Sequence, residues 1–274
     1  MLKKIAYSGI EGAFAHIVAR KLFPDELYVS YRNFKETYES VVSGESDLAV
    51  LPIENSYSGE VNDVMDLLFE GDLYINAIYS LPVTQNLLGV RGSRISDIKK
   101  VISQPKALEQ CDEYIRNMGY EAIQSPNTAV AAREVSRMQD MSVAAIASLE
   151  TAAIYGLKVL DEKINERDDN TTRFVVVSRE KGCIASVEGK RSFVTVFTVE
   201  DGAGALLGPL QVIAEYDYNM KVLHSRPLKN HKWQYYFYVE IEGDIVNEKG
   251  DAMTRKLEKT CSHIRVLGPH FGDK

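Results

Sequence analysis

The chain is poor in cysteine, proline, tryptophan and long apolar runs. Its 274 residues include three cysteines, eight prolines and one tryptophan. Cys111, Cys183 and Cys261 are far apart and odd in number, which argues against a disulfide framework and suits a reducing compartment. There is no CxxC, and the five histidines (16, 224, 231, 263 and 270) form no i, i+4 pair, so the common metal-binding spacings are missing. No apolar run approaches the roughly 18 residues of a membrane-spanning helix. The opening MLKKIAYSGIEGAFAH has two lysines but no apolar stretch of signal-peptide length. Basic excess is lacking too: 39 acidic against 32 basic residues leave a net charge of −7. That weighs against a nucleic-acid partner, which selects basic patches. It does not weigh against a small anion, which a few local donors can hold. The expectation is a cytoplasmic protein with no membrane or nucleic-acid partner.

The composition, 45% hydrophobic and 26% charged, is that of a globular protein, and the length suits two domains. From the start, short apolar runs alternate with amphipathic helical patterns: KKIAYS, LYVSY and DLAVLP as strands, and EGAFAHIVARKLF, FKETYESVVSG and EVNDVMDLLFEG as helices. Such alternation implies a parallel or mixed sheet with helices on its faces. The same grammar continues to about residue 160. There PKALEQCDEYIRNMG predicts one helix with Ala107, Leu108, Cys111, Tyr114, Ile115 and Met118 on its buried face. NTTRFVVVS (170–178) reads as a further strand. The charged, aperiodic stretch over 181–190 reads as a linker. Beyond it the order becomes strand, helix, strand, strand, helix, strand, the ferredoxin-like βαββαβ arrangement.

Three stretches could carry chemistry. In YSGIEGAFAH (7–16) a two-glycine turn leads into a helix, whose first amides could hold an anion; a plain tight turn explains Gly9 and Gly12 at least as well. In LPIENSYSGEV (51–61) a buried strand runs into Glu54, Asn55, Ser56 and Ser58, at the strand end where open α/β sheets place ligands. A polar loop with a helix cap is the other reading. In NTTRF (170–174) a hydroxyl beside an arginine suits a site that holds a carboxylate and donates to a leaving group. Two β-forming threonines and a solvated arginine are the alternative. GAGALLG (202–208) fits neither a P-loop nor a dinucleotide fingerprint, and Cys111 falls on an apolar stripe.

Together these stretches resemble the prephenate dehydratase family over nearly the whole chain. YSGIEGAF is similar to its glycine-turn start, and LPIENSYSG to its most recognisable loop. VISQPKALEQC resembles its serine-histidine-proline segment, AAIASLETAAIYGL its AAI…S…AA…YGL stretch, and NTTRF its threonine-arginine-phenylalanine motif. GALLGPL and HSRP resemble the Gly-Ala-Leu and Glu-Ser-Arg-Pro motifs of a fused ACT domain. Ala13 and Ala15 stand where many members carry Thr and Ser, Gln85 and Gln104 where His is common, and His224 where Glu is.

The resemblance implies a two-lobed, periplasmic-binding-protein-like α/β catalytic domain over 1–180, followed by a linker over 181–190 and an ACT regulatory domain over 191–274. Lobe one is expected over about 1–80 plus 161–180, and lobe two over about 81–160. It implies decarboxylation and dehydration of prephenate to phenylpyruvate, with neither cofactor nor metal, in a monofunctional chain. Thr172, Arg173, Asn55, Ser56, Ser103 and Gln104 are the implied catalytic set, with Thr172 donating to the departing hydroxyl. Gly12, Ala13, Phe14, Glu54, Thr171 and Phe174 are implied substrate contacts. Phenylalanine as allosteric inhibitor would meet Gly204, Ala205, Leu206, Leu207, His224, Ser225, Arg226 and Pro227 in a homodimer or homotetramer. Two other readings stay open: an arogenate dehydratase, and a non-catalytic small-anion-binding protein built on the same two lobes.

Overall fold

The computed structural model describes residues 2–167, 169–182, 191–229 and 234–271. The first lobe runs β1 (Lys4–Ser8), α1 (Phe14–Leu22), β2 (Leu27–Tyr31), α2 (Phe34–Val42), β3 (Leu48–Asn55), β4 (Gly59–Glu60), α3 (Asn62–Glu70) and β5 (Tyr74–Pro82). The chain then enters a second sheet with β6 (Asn86–Gly89), β7 (Lys100–Ser103), α4 (Pro105–Gln110), α5 (Asp112–Met118), β8 (Glu121–Gln124), α6 (Thr128–Met138), β9 (Val143–Ala147), α7 (Leu149–Tyr155) and β10 (Lys158–Asp161). It returns to the first sheet as β11 (Thr171–Ser178). The C-terminal domain is β12 (Arg191–Thr198), α8 (Leu207–Glu215), β13 (Asn219–Pro227), β14 (Tyr235–Glu242), α9 (Glu248–Leu257) and β15 (His263–Phe271). Most of the expected linker lies outside the described residues.

Sheet order explains the architecture. β6 to β10 form their own five-stranded sheet, β10-β6-β9-β7-β8. The other strands form a continuous sheet, β13-β14-β12-β15-β5-β11-β3-β1-β2. Its C-terminal part has the ferredoxin-like order with two helices on one face, and it joins the first lobe where β15 meets β5 in parallel at Phe271 and Ala77.

Alternation along the strands sets which face meets what. On β12, Phe193 and Phe197 pack under α8 and α9 with Val212, Ile213, Met253 and Leu257. Val194 and Val196 point the other way, into a core shared with Val64, Met65 and Leu68 of α3. On β11, Phe174 and Val176 face the α1 side with Val18 and Leu48, whereas Val175 and Val177 face that shared core. The two domains therefore bury apolar surface against each other.

The segment predicted as one helix over 105–119 is two. Cys111 has φ −118° and ψ 17°, outside helical geometry, and separates α4 from α5. Ala107, Leu108, Cys111 and Ile115 are buried as expected, but Met118 is exposed because it lies on the last turn before Gly119 closes the helix. The strand β10 had no clear periodicity of its own; it is held by antiparallel pairing to β6. In the GALLGPL stretch the helix α8 begins only at Leu207, because Ala203 to Leu206 form turns.

Candidate active site

A cavity of about 1200 Å³ opens between the lobes and extends along α2 and α3, where Asn33, Phe34, Asp63, Asp66 and, from the C-terminal domain, Lys229 line it. Lobe one contributes Ser8, Ala13, Phe14, Pro52, Asn55, Thr172 and Phe174, and the segment that connects the sheets adds Asn170. Lobe two contributes Gln104, Lys106, Gln110, Asn127 and Thr128, with Val83 and Gln85 at the crossing. The cleft thus receives the starts of α1, α4 and α6. By helix geometry their first amides lack intrahelical acceptors and favour negative charge.

Its centre is a cross-strand pair. Thr172 and Asn55 are register partners on β11 and β3. The Asn55 side chain is oriented by its own turn: its Oδ1 accepts from the Tyr57 and Ser58 amides, each at 3.1 Å. Its Nδ2 must then face the other way, where it donates to Thr172 Oγ1 at 2.9 Å, to Asn170 Oδ1 at 2.8 Å and to the Thr171 carbonyl at 3.2 Å. The Thr172 oxygen already accepts a hydrogen bond, so its proton is left to donate into the cleft. Orientation propagates further, since Asn170 Nδ2 donates to Gln110 Oε1 at 3.2 Å across the lobes.

Strand alternation splits the Thr172-Arg173-Phe174 motif. Thr172 and Phe174 line the cleft; Arg173 points to the opposite face of β11 and is not among the lining residues. Its guanidinium donates to Glu54 at 3.1 Å and to Glu240 of the C-terminal domain at 2.6 Å. Burial works against the charge, but Glu240, then Glu54, more than offset it and raise the Arg173 pKa above its ordinary value. Glu54 accordingly faces Arg173.

The other expected residues fall into two groups. Ala13, Phe14 and Gln104 line the cleft. Ser56, Ser103, Gly12 and Thr171 do not. Ser56 Oγ donates to the Asp169 carbonyl and accepts from the Thr171 amide, tying two strand ends together. Ser103 is fully buried, with Oγ donating to the Ile146 carbonyl at 2.6 Å. The Gly12 amide is occupied by His16 Nδ1 at 3.0 Å and the Ala13 amide by the Ile10 carbonyl, so the anion-facing donors of this turn begin at Phe14. Burial lowers the His16 pKa, which keeps the imidazole neutral and able to accept. Thr151 Oγ1 donates to the Gly12 carbonyl, and Tyr155 to that of Glu11, so lobe two buttresses the turn.

Asn170, Gln110, Asn127 and Thr128 were not singled out in the sequence. Asn170 opens the NTTRF stretch but was given no role there, and Asn127 carried the N-cap signal that places it at the cleft. Gln110 gave no signal, being one polar residue in a helix read for its apolar stripe.

The expected regulatory set is also divided. On β13, Ser225 and Pro227 are exposed, while His224 and Arg226 turn toward the first lobe. Arg226 pairs with Asp66 of α3 at 3.1 Å and bonds Asn62 and Tyr236; Lys229 reaches Asp66 at 3.0 Å. His224 Nδ1 lies 2.6 Å from Glu60. Gly204, with φ +81°, precedes the Leu206 cap of α8, and Leu207 is 56% exposed. Among the described residues there is no group of three metal ligands, and no helix is long and apolar enough to cross a membrane.

Comparison with known proteins gives a consistent picture. The profile of the prephenate dehydratase family matches residues 5–182. An arogenate dehydratase/prephenate dehydratase of Arabidopsis thaliana, a chloroplastic protein, is 35% identical over 97% of this chain and 71% of its own length. The crystal structure of a prephenate dehydratase from Arthrobacter aurescens in complex with L-Phe superposes with a TM-score of 0.87 at 27% identity, covering 98% of this chain and 89% of that one. GqqA, described as a novel type of quorum quenching acylase, superposes with a TM-score of 0.89, also at 27% identity, over 99% of this chain and 98% of its own.

Proposed function

We propose that this chain, which belongs to the prephenate dehydratase family, carries out the prephenate dehydratase reaction of aromatic amino-acid biosynthesis in the interlobe cleft, with Thr172 as the hydrogen-bond donor to the departing hydroxyl. The observation that supports this is the Asn55 amide on the Thr172 oxygen at 2.9 Å, which leaves that hydroxyl a donor.

Prephenate carries two carboxylates and a ring hydroxyl. As the ring carboxylate leaves as CO₂, the electron pair of its carbon–carbon bond enters the ring. The carbon–oxygen bond opposite breaks with its pair on oxygen, and the departing hydroxide becomes water. Aromaticity supplies the driving force. The protein's part is orientation and stabilisation of charge on the leaving oxygen, which one positioned donor in a restricted site serves well. The first amides of α1 and α6, with Lys106, face the substrate anion. Gln104 is a neutral donor, and Phe174, 1% exposed, backs the cleft wall from the core. Arg173 acts on the other side of the strand.

In this reading residues 1–180 are the catalytic part and 191–274 an ACT domain. Phenylalanine inhibits by binding near Gly204 to Leu207 and β13 in a cytoplasmic homo-oligomer. The L-Phe complex of the Arthrobacter protein supports phenylalanine as the ligand. Prephenate is the proposed substrate, with arogenate the rival. Phenylpyruvate and phenylalanine formation from the two substrates, assayed in parallel with and without added phenylalanine, tests all of this. Turnover of arogenate alone would replace the substrate, and indifference to phenylalanine would remove the inhibitor.

A further inference from the structure

On the back of the candidate site runs a chain of charged groups that the reaction does not touch. Glu240 sits on β14 on the face turned to the first lobe, in register between Val194 and Val222, and is 3% exposed. A carboxylate buried there is tolerated only if both oxygens are satisfied. Tyr238 donates to Oε1 at 3.0 Å, and Arg173 donates to Oε2 at 2.6 Å. The second arm of Arg173 holds Glu54. From β13, His224 reaches the same region, with Nδ1 2.6 Å from Glu60 and Nε2 3.9 Å from Glu54. Glu54 and Glu60 are register partners across the β3–β4 hairpin, and that hairpin carries Asn55.

Two grips of the C-terminal domain therefore end one residue from the reacting pair. Glu240 holds Arg173, whose neighbour is Thr172. His224 holds Glu60, whose partner strand ends at Asn55. We propose that Glu240 and His224 are positioning residues for the reaction: they fix β11 and the β3–β4 hairpin from behind, and so keep the Asn55 amide and Thr172 hydroxyl aligned on the substrate. This rests on the reading of Thr172 as donor. The β-bulge between Arg173 and Phe174 lies next to this contact, where the ladder alone constrains the strand least.

The test uses the full chain with Glu240→Gln, His224→Ala, Thr172→Ala, Thr172→Ser and the Thr172→Ser/Glu240→Gln double variant. Misalignment of a reacting group costs up to about a hundredfold in rate. Glu240→Gln and His224→Ala are each expected to lower kcat by roughly ten- to a hundredfold while KM stays within about twofold, the mark of an interaction felt in the transition state. The Glu240 and Thr172 effects are expected to be non-additive, because both act on one hydroxyl. Strict additivity in the double variant would reduce Glu240 to a structural role and overturn the proposal. So would native kcat in both Glu240→Gln and His224→Ala alongside an inactive Thr172→Ala. If Glu240→Gln does not fold, His224→Ala decides alone, by the same criterion. Native turnover in Thr172→Ala would instead overturn the reading of Thr172, and the proposal with it.

Discussion

Asn55 donates to the Thr172 hydroxyl oxygen across adjacent strands at 2.9 Å, and two backbone amides of its own turn allow that asparagine no other orientation. The orientation of the Thr172 hydroxyl is thus set by the β3–β4 turn.

Removing either partner should act on turnover. Thr172→Ala is expected to lower kcat by roughly 10²–10⁴-fold, the scale of a positioned proton-transfer group. Asn55→Ala should cost less, about ten- to a hundredfold, because the hydroxyl remains but is free to rotate. Steady-state assays with prephenate check both. Asn55→Ala losing more than Thr172→Ala would point to Asn55 as the direct contact.

His270 predicts a pH dependence of stability. It is 3% exposed, its Nδ1 has no partner among the described residues, and burial, with Arg173 and Lys221 nearby, lowers its pKa to about 3. A histidine held neutral in the folded state binds fewer protons than in the unfolded chain below its ordinary pKa of about 6.5. Its contribution is therefore complete above that value and is lost as pH falls toward 3, at roughly 1.4 kcal/mol per unit. Denaturant titrations from pH 7 to 4 should show that slope, and His270→Phe should flatten it. His16 shifts in the same direction, so part of the slope will remain. An unchanged slope in His270→Phe would show that the acid sensitivity lies elsewhere.

Asp66 predicts an acid transition at the domain junction. Burial alone would raise its pKa, but Arg226, Lys229 and Tyr236 together hold it below the ordinary value. A depressed carboxylate stabilises fully above its unfolded pKa of about 4, and that stability is lost as pH falls through the folded value. Asp66→Asn should therefore be destabilised by about 1–3 kcal/mol at pH 7. The gap from the wild type should close once pH has fallen through the depressed pKa of the folded carboxyl. A gap that persisted there would mean shape, not charge, is what Asp66 supplies.

Gly268 tests the sheet junction. With φ +128°, it lets β15 approach β5 so closely that an added Cβ would lie 2.8 Å from the Ile75 carbonyl oxygen. Gly268→Ala should lower the unfolding free energy by about 1–3 kcal/mol through strain at a position only glycine accepts readily. A variant within about 0.5 kcal/mol of wild type would show that β15 can shift without loss.

The alternation of apolar runs and amphipathic stretches made most elements readable, down to the GG-turn before α1 and the βαββαβ order after residue 190. The division of Thr172-Arg173-Phe174 between two faces follows from a strand period of two. What lies behind Arg173 had no such local signal, because Glu240 is 67 residues away and looks like one more charge in an aromatic strand.

Local periodicity and turn chemistry, written in neighbouring residues, determined the alternation of strands and helices and the βαββαβ order, while the motifs at 51–59 and 170–174 carried the resemblance to the family. Tertiary structure alone decided that Asn55 donates to the Thr172 oxygen and that Gln110 joins the Asn55–Asn170 network from the other lobe. It alone also placed Arg173, His224 and Arg226 in ion pairs between the domains. Those outcomes depend on which strands become neighbours and on which buried charges must find partners, and long-range pairing settles both.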